Sequence, residues 1–254
     1  MGRKSRLKKE RRTSITSTAP VSPHSTGTVR QLQLSELNIK YQSTPENLPK
    51  KLYRFFEKEE YANEFINGRL RISTLETCRN HKNEAQGDRN EGYLRHHIKR
   101  IDSSHPQFEK IAMRGGIYLE NCTGVVIENN INITIIDDAY LLCTTTKYTP
   151  KDFNEDFGGF CVEITDPLKM VEMITHTLQI NNNVTHCRYG KIFYRHRTFQ
   201  QEEYPEVPIE FIKPDTDIYR SQNEYRFVWY TNKLPITPIN IECGSFSQIC
   251  KRIN

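Results

Sequence analysis

At 254 residues, with 36% hydrophobic and 26% charged side chains and only 12 Gly and 12 Pro, the chain can bury one substantial core, and its composition excludes disorder over most of its length. Its net charge of +5 is unevenly placed: residues 1–12 carry seven Lys or Arg against the single acid Glu10, whereas the other 242 residues hold 29 basic and 30 acidic side chains. No apolar run reaches membrane-spanning length, and the seven scattered cysteines lack the CxxC pairs of a zinc module or the even count of a disulfide framework. A reduced, cytoplasmic protein with no membrane partner is expected.

Residues 1–30 are basic and then rich in Ser, Thr and Pro, without apolar periodicity, which predicts a disordered tail. Its cations Arg3, Lys4, Arg6, Lys8, Lys9, Arg11 and Arg12 suit a phosphate-rich surface by charge and counterion release, and suit an acidic protein or plain solvation as well. Residues 31–50 read as a connecting segment, and residues 51–254 as a single α+β domain. Leu52 to Phe56 is strand-like, and the stripe Tyr61, Ala62, Phe65, Ile66 closed by Asn67-Gly68 predicts a helix. Leu70 to Ser73 resumes as strand, Leu75 to Arg79 forms a short turn, and the polar run Asn80 to Gly92 reads as an exposed loop. Strand-like runs follow at Gly116 to Leu119, Gly124 to Glu128, Ile131 to Ile136, Tyr140 to Thr146 and Phe160 to Ile164. A helix is predicted near Asp166 to Ile180, with strands near Arg188 to Tyr194 and Asp217 to Tyr230. Many short strands with few helices predict a mixed two-sheet β core with flanking helices.

The last of these strands carries the densest signal. Side chains alternate along a strand, so Tyr225, Phe227 and Trp229 share one face and Glu224, Arg226, Val228 and Tyr230 the other. The aromatic face anchors the strand, and Glu224 stands at its start, two residues after Gln222. Two further elements have strand positions that would let them converge on it: Arg54 in the first strand, and Thr144-Thr145-Thr146 closing the strand from Tyr140.

This order of arginine, hydroxyl cluster and Gln-x-Glu resembles the Arg, Ser-Thr-Ser and Gln-x-Glu pattern of toxin-type ADP-ribosyltransferases, over roughly residues 50 to 232. The central motif departs from it, with Thr-Thr-Thr in place of Ser-Thr-Ser. The segment Leu52 to Gly92, with its aromatic strand, its helix ending in Gly and its Gly87-Asp88-Arg89-Asn90-Glu91-Gly92 loop, is also similar to a bacterial family of uncharacterised defence-associated proteins. The resemblance implies an ADP-ribosyltransferase-like fold, NAD as substrate, Glu224 as the carboxylate that stabilises the developing oxocarbenium ion, and Gln222 as the group orienting the acceptor. It further implies Arg54 on the cofactor diphosphate, the three threonines bracing the cofactor-binding strand, and a toxin or phage-defence effector with an antitoxin or chaperone partner.

The basic stretch from Arg188 through Arg195 and Arg197, interleaved with Tyr189, Phe193 and Tyr194, suits single-stranded nucleic acid and points with the tail to RNA as acceptor; a basic edge strand has the same composition. Two other functions stay open on the sequence. Asp88 and Glu91, with His96 and His97 downstream, could hold a divalent metal for phosphodiester cleavage, and a plain polar loop has the same composition. A non-catalytic module that binds RNA or a partner through its tail is the other.

Overall fold

Period-two alternation dominates the region after residue 50, and sheet dominates the structure accordingly. The computed structural model describes residues 48–153 and 155–254; the predicted tail, residues 1–30, and most of the 31–50 segment lie outside them. The chain begins with β1 (Leu52–Phe56), α1 (Glu59–Ile66), β2 (Arg69–Thr74) and α2 (Leu75–Arg79). It continues through β3 (Tyr93–Asp102), α3 (Phe108–Arg114), β4 (Val126–Ile135), β5 (Tyr140–Thr145), α4 (Pro150–Phe153), β6 (Phe160–Ile164) and α5 (Pro167–Asn182). The last part holds β7 (Val184–Lys191), β8 (Phe193–Tyr194), β9 (Thr198–Gln200), β10 (Ile212–Lys213), α6 (Asp217–Arg220), β11 (Glu224–Thr231), β12 (Ile239–Glu242) and β13 (Cys250–Arg252).

The fold is mixed α+β, mostly sheet. Among the described residues it has three sheets where two were expected: one of eight strands, a three-stranded sheet β4-β3-β9 and a two-stranded parallel ribbon β8-β10. Several local expectations are corrected. The runs Gly124 to Glu128 and Ile131 to Ile136 form one strand, β4, through Asn129 at a left-handed φ of 51°. Gly116 to Leu119 is not a strand, whereas β3 and α3 form between Gly92 and Gly116, where no element is predicted. Asp217 to Arg220 is a helical turn, so the aromatic strand starts at Glu224.

The large sheet is forked. β11 pairs antiparallel along the whole of β5, from Glu224↔Thr145 to Trp229↔Tyr140. The opposite edge of β5 is divided between β1, which meets it at Tyr53↔Thr145, and β2, which meets it at Ser73↔Leu141 and Thr74↔Tyr140. Both strands share one edge, and among the described residues that edge from Leu142 to Thr144 is left without a strand partner.

The sheet buries its main core on the aromatic face. Tyr225, Phe227 and Trp229 pack there with Met170, Ile174 and Leu178 of α5 and Phe65 of α1. Each such large side chain contributes roughly 1.5–3 kcal/mol by burial, and Trp229 Nε1 also donates to Thr175 Oγ1 at 2.8 Å. Helix α5 starts where expected because the Asp166 side chain accepts from Lys169 N and Pro167 occupies the first turn. On the other face Val228 joins Leu75, Leu141 and Phe211 in a smaller cluster. The chain after α1 turns at Gly68 (φ +82°), where a Cβ would lie 2.5 Å from the Gly244 carbonyl oxygen, so only glycine fits.

Candidate active site

The fork exposes a backbone acceptor, the Cys143 carbonyl, and Arg54 on the diverging strand β1 donates to it through Nη1. The guanidinium sits 5.5 Å from the centre of the Phe56 ring and 5.9 Å from that of Phe65. Its Nε is buried without a hydrogen-bond partner, and no carboxylate pairs with it among the described residues. Burial pushes its pKa down, but guanidinium still retains its charge. Two cavities meet here. One, of about 380 Å³, is lined by Arg54, Cys143, Thr144, Thr145, Gln222 and Glu224; the other, of about 730 Å³, is lined by Phe56, Tyr61, Phe65 and Asn240. Arg54 and Arg71 line both.

Glu224 reaches the first cavity because the turn before it is sharp. Gln222 N–H bonds the Tyr219 carbonyl, Asn223 N–H bonds that of Arg220, and Asn223 adopts a left-handed φ of 45°, which asparagine tolerates well. The Glu224 carboxylate is only 4% exposed and flanked by two cations. Arg226 Nε donates to its Oε1 at 2.8 Å, and Lys213 Nζ lies 2.7 Å from Oε2. Burial alone would raise the Glu224 pKa; Arg226 and then Lys213 outweigh it and take the carboxyl down to about 2. Arg226 in turn donates to both Glu91 oxygens, at 2.8 and 3.2 Å, and to the Glu210 carbonyl at 2.6 Å. The Cys143 thiol, half-buried and close to the Glu224 carboxylate, is pushed well above the usual thiol range by desolvation and then by that carboxylate.

The threonines brace the two flanks of Glu224. Thr144 Oγ1 donates to the Tyr225 carbonyl at 2.8 Å and Thr146 Oγ1 to that of Asn223 at 3.2 Å. Thr145 Oγ1 bonds the Lys147 carbonyl at 3.2 Å. Thr144 and Thr145 line the cavity and Thr146 does not. Gln222 donates through Nε2 to the Ala85 carbonyl at 2.7 Å and so ties down the 80–92 loop.

That loop corrects the sequence reading. Asp88 and Glu91 are buried, not exposed. Arg197 Nη2 sits 2.5 Å from Asp88 and 3.7 Å from Glu91, and Arg226 takes both Glu91 oxygens, so the carboxylates hold guanidinium groups in place. No group of three or more His, Cys, Asp or Glu side chains with metal-site geometry occurs among the described residues. His96 is buried with its Nε2 2.8 Å from the Gln201 carbonyl.

The expected nucleic-acid contacts divide. Arg197 is half-buried and engaged within the fold: besides its pairing with Asp88 it bonds the Ile212 carbonyl through Nε and Nη2. Arg195 is exposed, with its guanidinium 4.5 Å from the centre of the Phe199 ring. Arg3, Lys4, Arg6, Lys8, Lys9, Arg11 and Arg12 lie outside the described residues. Sequence reading missed Lys213, Arg71, His81, Gln86 and Phe157, all of which line the first cavity. No helix among the described residues is long and apolar enough to cross a membrane. No protein-family model matches the chain, and no curated protein or solved structure is significantly similar to it.

Proposed function

We propose that the chain is an NAD-dependent ADP-ribosyltransferase with an ADP-ribosyltransferase-like fold, whose catalytic cleft is the fork beside β5. The observation that carries this reading is convergence: Arg54, Thr144, Thr145, Gln222 and Glu224, spread over 171 positions, line one cavity. NAD as substrate fits the charge layout. Arg54 is a half-buried cation with no paired carboxylate among the described residues, at the junction of two cavities, which suits a diphosphate bridging two nucleoside halves. Cleavage of the nicotinamide–ribose bond leaves positive charge on the ribose, and the ionised Glu224 accepts a hydrogen bond from the 2′-hydroxyl as that charge develops. Such preorganised contacts are worth about 2.7–4 kcal/mol of barrier. Gln222 Oε1 accepts from an N–H or O–H of the acceptor and aims it at the ribose.

RNA is the acceptor we favour, on the basic residues of positions 3–12 and exposed Arg195. A toxin or phage-defence role in the reducing cytoplasm, with an antitoxin or chaperone partner, follows from the likeness of Leu52 to Gly92 to defence-associated proteins. Incubation with NAD labelled on the adenylate, together with RNA, DNA or lysate, tests the reaction. Label on a macromolecule that disappears with Glu224→Ala supports it; no transfer by the wild-type chain, or equal transfer by Glu224→Ala, overturns it.

A further inference from the structure

The ribbon β8-β10 is only two residues deep, yet both members of one of its two register pairs reach Glu224. Lys213 and Tyr194 are register partners across it. The Tyr194 hydroxyl oxygen accepts from the Glu224 main-chain N–H at 2.9 Å, and Lys213 Nζ stands 2.7 Å from the side-chain Oε2. One ribbon therefore fixes the backbone and the carboxylate of the same residue. The Lys213 side chain is 5% exposed and lines the first cavity beside Glu224. The two cations on Glu224 are also unequal. Arg226 divides its charge between Glu224 and Glu91, whereas among the described residues Glu224 is the only acid paired with Lys213.

We infer that Lys213 is a positioning residue for Glu224, holding its carboxylate ionised and turned into the cavity, and that the β8-β10 ribbon serves to deliver it. The inference rests on Glu224 being the working carboxylate of the cleft. A carboxylate that must accept a ribose hydroxyl needs a free lone pair on a charged oxygen. Oε2 meets this condition: Lys213 supplies the countercharge at contact distance, and a carboxylate oxygen keeps a second lone pair for the hydroxyl. The other groups that bear on Glu224 are Arg226 on its own strand, the Cys143 thiol on β5, the Tyr194 hydroxyl on β8, the Cys78 thiol on α2 and, through Arg226, Glu91. Lys213 is the one full charge among them that can be removed while the Arg226–Glu91 pair is kept.

The full chain carrying glutamate labelled with ¹³C at the side-chain carboxyl gives the test, with Glu224→Gln assigning the signal. In the wild type the Glu224 signal should stay that of a carboxylate down to pH 4. In Lys213→Met its titration midpoint should rise by at least one unit, equivalent to a tenfold loss of preference for the charged form, and Lys213→Arg should restore the wild-type curve. On NAD, Lys213→Met should lower kcat at least tenfold with KM changed less than twofold and move the acid limb of the rate profile to higher pH. Circular dichroism checks folding, and Lys213→Gln replaces Lys213→Met if that variant does not fold. An unmoved Glu224 titration in a folded variant overturns the inference, as does a shifted titration with unchanged kcat. If the wild type does not turn over NAD, the transferase reading fails, while the carboxyl titration still decides whether Lys213 holds Glu224.

Discussion

Arg54 and Glu224 stand on the two strands that flank β5, and a single residue, Thr145, is the register partner of both Tyr53 and Glu224. One strand's width thus separates a guanidinium without a counter-ion among the described residues from a carboxylate with two. Removing the carboxylate tests both of its roles. Glu224→Ala should abolish ADP-ribosyl transfer, by about 10²–10³-fold in kcat, and should also destabilise the fold by about 3–5 kcal/mol, because Lys213 and Arg226 are left as buried cations with fewer partners. Label transfer and urea denaturation read the two effects separately. A variant as stable as the wild type would mean that the pairing around Glu224 is loose.

Arg54 should act on binding. Lysine lacks the planar fork and cannot both cap the Cys143 carbonyl and present a second pair of donors. Arg54→Lys should weaken NAD binding at least tenfold, measured by titration calorimetry, with a smaller loss for the exposed Arg71→Ala, which lines both cavities without an ion pair among the described residues. Unchanged affinity in Arg54→Lys would leave Arg54 as a plug of the sheet fork and nothing more.

Much of this arrangement was legible in the sequence where it depends on local period. Alternation in Tyr225 to Trp229 placed three aromatic rings in the core and Glu224 and Arg226 opposite them, as observed. Long-range partners were not legible. Asp88 and Glu91 sit in a loop of polar composition, and their burial comes from Arg197 and Arg226, more than 100 residues away. Lys213 gives no periodic signal, because β10 is two residues long and ends at Pro214. Strand β3 was obscured by the opposite effect: Leu94, His96 and Ile98 face inward, but the basic side chains set among them mask the apolar alternation.

The two arginines assigned to nucleic acid should separate by experiment. Arg197→Ala leaves the Asp88 carboxylate buried without its cation and should cost about 3–5 kcal/mol of stability. Arg195→Ala touches no ion pair among the described residues and should leave stability within about 0.5 kcal/mol. If RNA is the acceptor, only Arg195→Ala should weaken RNA binding at fixed salt and flatten its salt dependence, as filter binding across a salt series would show. Equal stability losses in the two variants would contradict the burial difference between them.

The charge network also sets an acid limit. The Glu224 pKa is lowered from 4.5 to about 2 in the folded chain, so the unfolded chain binds more protons between those values. The stabilisation from the ionised carboxylate is therefore fully present above pH 4.5 and is lost progressively as the pH falls towards 2. Lys213, raised above its ordinary value by Glu224 despite its burial, stays charged throughout that window, so carboxylate protonation alone breaks the pair. The unfolding free energy of the wild type should fall on acidification from pH 5 to pH 3, and Glu224→Gln, already lacking the charge, should show a shallower fall. Parallel pH dependences in urea titrations of the two proteins would show that the acid sensitivity comes from other carboxylates.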